Sequence, residues 1–267
     1  MEPILGILLG GFLAFNAFVT PGRAEKEAES ALRKKFPGAT VNVDIEGKRG
    51  RNVLKGRFKK VRVELSNLRI DDFPIQAGAE VSTTTGAAPA PKFSTIGHLE
   101  LSLHDLSFGG LPVKSVELSF DDVHYDFEAL KKRSEIRLIS FTNGKIALAI
   151  EANSLLPLVA KRAPEIKDAH VELRGGEIVV TGRREILGAG ANVLVRGPIV
   201  PHGNDLDLDN AHVEVAGLNI APILAAPIIK GINPLYSFEE KWPFNVQTGH
   251  IGADNDMLQI EGTLTAK

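Results

Sequence analysis

His98, His104, His124, His170, His202, His212 and His250 are the seven imidazoles of this chain, the groups best suited to hold a metal or move protons near neutral pH. None falls into an H-E-x-x-H or H-x-H spacing. His98 and His104 lie six apart on a strand-like stretch, so solvated faces are their expected place. The chain has no cysteine, which removes thiolate zinc sites, disulfides and a Cys nucleophile from consideration. Asp205, Asp207 and Asp209 resemble the opening of a calcium loop, but position six is Asn210 where glycine is needed, and position twelve is Ala216 where a bidentate glutamate is needed. With Leu206 and Leu208 between them, the aspartates read instead as the wet face of a strand. Gly188-x-Gly190 lacks the third glycine of a dinucleotide loop, and neither a phosphate-binding G-x-x-x-x-G-K-[ST] nor a G-x-S-x-G elbow occurs. Asp71-Asp72 and Asp121-Asp122 are acidic neighbours in sequence, which is not the facing pair that glycoside chemistry requires. These residues point to no catalytic centre, no metal site and no cofactor.

The remaining chemistry is charge. Lys48, Arg49, Arg51, Lys55, Arg57, Lys59, Lys60 and Arg62 follow one another with no acid among them. Residues 22–62 carry 13 Lys and Arg against 5 Asp and Glu, although the whole chain has a net charge of −2. A basic segment on a mildly acidic body suits an anionic surface such as lipid headgroups. No nucleic-acid signature with interleaved aromatics accompanies it. Each cation near such a surface contributes about 1 kcal/mol, less with salt, so the patch assists binding without determining it. The plain alternative is a solvated hairpin.

The elements that must position these groups begin with an uncharged run, Ile4 to Val19. As a helix, its sixteen residues span about 24 Å, short of a ~30 Å hydrocarbon core. That length fits the apolar region of a signal peptide or a short membrane anchor, with a buried structural helix as the alternative. Residues 1–22 are therefore set apart from a single domain over 23–267. A helix is predicted from Ala24 to Phe36, with Ala28, Ala31, Leu32 and Phe36 on one stripe. Alternating strands follow through Val41/Val43/Ile45, Val61/Val63/Leu65 and Leu99/Leu101/Leu103. The parity then shifts to Leu106 and Phe108, which signals a bulge or a strand break. Between them, Gln76–Lys92 reads as a flexible insertion rich in small residues. Asn143-Gly144 and Gly175-Gly176 read as hairpin turns, and further strands are expected over about 188–196, 205–216, 244–251 and 257–264.

Two more helices interrupt the strands. One runs from Ser154 to Arg162, with Asn153 or Ser154 as its cap. The other runs from Ile220 to Lys230, inside a stretch that has no charge between Val215 and Ile229, and should be buried or bound to something greasy. Leu155, Leu156, Leu158 and Val159 on the first, with Ile223, Leu224, Ile228 and Ile229 on the second, are the candidates to line a lipid-tail cavity, against the alternative of ordinary core packing. Tyr236, Phe238 and Trp242 are candidates for a membrane–water boundary, against packing of a loop on the sheet. The whole reads as an α+β chain built on long, mostly antiparallel sheet with a few apolar helices on one face.

The Ala- and Glu-rich helix, Val43-x-Ile45, Leu54-x-Gly56 with Val61-x-Val63, the Asn153-Ser154-Leu155-Leu156 helix start and the Val171–Thr181 hairpin together make the chain resemble the LmeA-like family of bacterial phospholipid-binding proteins. The resemblance covers roughly Ala24 to Leu264, and the Gln76–Lys92 insertion departs from it. It implies phospholipid binding in the cell envelope without catalysis, support of envelope lipid or glycolipid assembly in some members, and a tube-like lipid-binding fold. From the residues, the competing class is a membrane-anchored scaffold with a filled core and a protein partner, and a third is a hydrolase with an unrecognised site. The lipid reading requires apolar space that the chain's own side chains leave open.

Overall fold

The computed structural model describes residues 21–47, 55–70, 76–77, 93–108, 110–126, 137–186, 189–239 and 242–267. The N-terminal apolar run through residue 20, the cations Lys48, Arg49 and Arg51, and most of the insertion lie outside the described residues.

Helix α1 (Pro21–Lys35) covers strand β1 (Thr40–Glu46), the edge of the larger sheet, and buries Ala28 and Leu32. An edge strand leaves backbone N–H groups without strand partners. Here Glu25 accepts from the Ile45 N–H at 3.1 Å and Glu29 from the Val43 N–H at 3.4 Å, so the helix closes the edge with its own acids. β1 pairs antiparallel with β2 (Phe58–Ser66). β2 then runs parallel to β5 (Phe93–Phe108), a pairing that alternation does not reveal and that the long connection between them permits. Two short strands, β3 (Arg69–Ile70) and β4 (Gln76–Ala77), lie in that connection and pair parallel with β5 and β7. Gln76 and Ala77 are thus anchored to Arg137 and Leu138, which corrects the expectation that the insertion begins at Gln76.

β5, β6 (Leu111–Asp126) and β7 (Arg137–Glu151) form an antiparallel meander of 15- and 16-residue strands, each about 50 Å long. Asp105, Asp122 and Asn143 sit at φ 48°, 47° and 48° inside these strands. Asp and Asn tolerate this left-handed region better than other non-glycine residues. Asp122 and Asn143 each insert an extra residue between β6 and β7, which resets the in/out parity and bends the strand. The parity shift after Leu103 is a kink at Asp105 across which the pairing with β6 keeps its register, His104 opposite Ser115 and Leu106 opposite Val113. Asn143-Gly144 is a bulge as well, and this corrects the hairpin expected there: β7 runs straight through it because β6 pairs with it on both sides, while β16 reaches as far as Gly144. β16 (Met257–Ala266) and β15 (Phe244–Asp254) complete the sheet, which curls into a half-barrel.

The second sheet contains β8 (Lys167–Arg174), β9 (Glu177–Ile186), β10 (Ala189–His202), β11 (Asp205–Leu208), β12 (His212–Val215), β13 (Leu218–Asn219) and β14 (Tyr236–Ser237). Gly175 and Gly176, at φ 61° and 82°, make the β8–β9 hairpin turn expected from sequence. β11 and β12 are one strand interrupted at Asp209–Ala211, both antiparallel to β10. Leu206 and Leu208 are buried while Asp205 and Asp207 are half-exposed, the wet-face pattern expected.

A 3-10 turn (Ala152–Leu155) leads into α2 (Leu156–Arg162), and no side chain caps it, which corrects the capping role expected of Asn153 or Ser154. α3 (Pro222–Ile232) connects β13 to β14. One hydrophobic cluster joins both sheets and all three helices, with Phe120, Phe141 and Phe244 stacked edge-on or tilted at 4.8–5.7 Å between ring centres. Among the described residues no helix is long and apolar enough to cross a membrane.

Candidate functional site

α3 is shaped by its uncharged sequence. Pro222 opens it, Pro227 sits inside it, and both ends are pinned to strands. Before the helix, the Ile220 N–H donates to the Val213 carbonyl at 3.1 Å. After it, the Asn233 amide accepts from the Leu208 N–H at 2.8 Å and donates to the Leu208 carbonyl at 2.9 Å, satisfying a strand residue that would otherwise lose its partner. Suspended between these points, the helix turns Ala225, Ile228 and Ile232 into the core. Between it and β12 an apolar groove of about 490 Å³ remains, walled by Val213, Ile220, Ala225, Ala226 and Ile229, with His212 and Lys230 as its titratable groups. Its chemistry is that of an apolar slot with a cation beside it.

A second concavity, of about 570 Å³, lies on the polar face of the larger sheet. Glu64, Glu100, Glu117 and Glu261 face it against Arg62 and Lys145, so its balance is acidic and unsuited to a phosphate. Glu100 organises it. Lys60 donates to Glu100 Oε1 at 2.9 Å, Arg62 Nε to Oε2 at 2.6 Å, and His98 Nε2 lies 2.8 Å from Oε1. The other His98 nitrogen lies 2.6 Å from Asp121 Oδ1. Partial burial works to raise the Glu100 pKa, but the hydrogen bonds from Lys60, Arg62 and His98 override it and hold the carboxyl at about 2. The Asp121 hydrogen bond outweighs desolvation at His98 and raises its pKa. With a carboxylate on each nitrogen the cationic form of the imidazole is favoured, and both ring nitrogens are already engaged.

The expected basic patch is therefore divided. Lys55 and Arg57 are exposed at the base of the β1–β2 connection. That base is clamped: Ser94 donates to the Lys55 carbonyl, and buried Tyr125 donates to the Gly56 carbonyl at 2.6 Å. Lys59 pairs with Glu46 at 3.5 Å, while Lys60 and Arg62 share Glu100. The neutralising acids come from neighbouring strands, so an acid-free run in sequence is not an unpaired patch in space.

The expected tail-lining residues also separate. Leu155, Val159 and Ile228 are buried in the core, and Leu156 and Leu158 are half-buried against it. Ile229 lines the groove, and Ile223 and Leu224 stand on the outer side of α3. Burial likewise corrects the boundary role expected of the aromatics: Phe238 and Trp242 are inside the core, with Trp242 edge-on to Phe108 at 5.5 Å and to Phe238 at 5.6 Å. Trp242 Nε1 donates to the Tyr236 hydroxyl at 2.9 Å, and burial pushes that phenol up to about 12. The groove residues Ala211, Val213 and Ala226 escaped sequence reasoning, because small residues on a short strand and on a helix signal a slot only once the two are adjacent.

A protein-family profile described as LmeA-like phospholipid-binding matches residues 94–263. The chain belongs to this family. The match takes in β5 through most of β16, and with them α2, α3 and the groove; it leaves out α1, β1, β2 and the basic segment between those strands. No curated protein and no solved structure matches the chain.

Proposed function

We propose that this LmeA-like chain binds phospholipid without catalysis and takes an acyl chain into the groove between α3 and β12. The observation that carries this reading is an open, apolar groove of about 490 Å³ within the segment matched to a phospholipid-binding family. Burying acyl CH₂ groups contributes about 0.8 kcal/mol each, so six of them would supply about 5 kcal/mol before ordering costs. Lys230 and His212, also on the groove's lining, are the groups that would meet a headgroup. Lys55 and Arg57, with Lys48, Arg49 and Arg51 of the same segment, add attraction to an anionic surface, while Lys59, Lys60 and Arg62 serve structure. We assign the chain to a membrane-associated place in the bacterial cell envelope, reached through its N-terminal apolar run, and to the assembly or transfer of envelope lipid.

The test is organic extraction and mass spectrometry of the purified protein, followed by titration with a short-chain phospholipid below its micelle concentration. Ala226 is exposed at the groove wall, so Ala226→Trp fills the slot without touching the core. Binding should fall at least about tenfold, the equivalent of losing two methylene contacts. Unchanged binding by the variant rules the groove out, and absence of phospholipid binding by the native chain favours the scaffold reading.

A further inference from the structure

The outer side of α3 and the strand before it carry an apolar tip. Ile223 is 82 % exposed, Leu218 71 % and Leu224 64 %, the largest exposures of any large hydrophobic side chain among the described residues. Single exposed leucines need no explanation, but three within seven residues form a patch that water disfavours. Pro222 and Ala226 of the same helix line the groove, so the tip and the slot are two sides of one element. Cations stand at the other end of the same helix. Lys230 is exposed in the last turn of α3, Lys161 and Arg162 are exposed at the end of α2, and Gly231 approaches the Arg162 carbonyl, with a carbon placed on it 3.8 Å away. Glu165 faces the same glycine but is paired with Arg184 at 3.9 Å.

We propose that this β13–α3 edge is a bilayer-docking surface. Leu218, Ile223 and Leu224 enter the boundary between headgroups and acyl chains of an anionic lipid surface, and Lys161, Arg162 and Lys230 meet its phosphates. The occupant is a bilayer and not a protein because a stable protein contact takes about 20–30 residues a side, whereas this tip presents three large apolar side chains, with exposed Lys161, Arg162 and Lys230 at the far ends of the same two helices. An apolar helical face flanked by Lys and Arg is the pattern of interfacial lipid binding. The inference rests on the groove reading and deepens it: with the tip inserted, the groove mouth opens into lipid, and a tail can enter without crossing water.

The chain has no cysteine, so a single introduced thiol is labelled uniquely. The full chain carrying Leu224→Cys, labelled with an environment-sensitive nitrobenzoxadiazole dye, is mixed with phosphatidylcholine–phosphatidylglycerol vesicles. The dye should shift to the blue, brighten several-fold and be quenched by nitroxide-labelled acyl chains, while the same dye at Lys145→Cys on the sheet's polar face stays unchanged. With the dye at Leu218→Cys, the exposed double substitution Ile223→Ser with Leu224→Ser should raise the vesicle concentration for half-maximal signal by about tenfold. A silent dye at 224 on protein that sediments with the vesicles overturns the proposal. So does a blue shift that depends on protein concentration without vesicles, which would mean that a second copy of the chain covers the tip. Short-chain phospholipid binding, and its loss in Ala226→Trp, is read on the same labelled protein, so failure of the groove and failure of the docking edge are seen separately.

Discussion

Replacing Glu100 by Gln tests whether the strand-borne cations are committed to the fold. The Glu100 carboxyl is held at about 2 against an ordinary 4.5. At about 1.4 kcal/mol per pH unit this difference is worth roughly 3 kcal/mol. The side chains of Glu100, Lys60 and Arg62 are 25 %, 24 % and 42 % exposed, and solvent screening of such pairs reduces the figure to about 1.5 kcal/mol. Because the folded value lies below the unfolded one, this stability is complete above the ordinary carboxyl range and disappears as pH falls from about 4.5 toward about 2. Urea unfolding of both proteins at matched ionic strength should show Glu100→Gln less stable by about 1.5 kcal/mol at pH 7, and by less than half of that at pH 3. The variant also releases Lys60 and Arg62, so it should bind anionic vesicles more tightly at pH 7 even as it loses stability. An equal gap at both pH values would refute the charge argument, and a variant as stable as the native chain at pH 7 would show that the network contributes nothing.

Two further outcomes follow from buried groups. Tyr125→Phe removes the hydrogen bond to the Gly56 carbonyl and should cost about 1–2 kcal/mol in urea unfolding; stability equal to the native chain would mean that the clamp at the base of the basic segment is idle. Trp242 is the only tryptophan and is buried, so its emission should be blue-shifted, poorly quenched by iodide and unchanged by vesicles. Strong quenching that vesicles relieve would restore the membrane-boundary role that burial removes.

The strands were legible because a period of two survives in single-sequence patterns. Leu99/Leu101/Leu103, Val116/Leu118/Phe120 and Ile146/Leu148/Ile150 all face the core as alternation requires. Asn143-Gly144 misled because a positive φ serves a bulge as well as a turn, and only the pairing of β6 with β7 on both sides of that point decides between them. The basic run misled in another way: Glu46 and Glu100 belong to β1 and β5, and no local window contains the acids that neutralise Lys59, Lys60 and Arg62.

By itself, then, the sequence determined the β-rich class, the amphipathic first helix, the uncharged stretch that becomes α3 and the absence of thiol chemistry, since each depends on residue type and short-range spacing. Tertiary structure alone decided which apolar residues fill the core and which stay open. Leu155 and Ile223 are equally greasy in sequence, yet one is enclosed in the core and the other projects from the outer side of a helix whose inner side is buried. Burial is a property of what packs opposite a side chain, and that neighbour is supplied by strands far away along the chain.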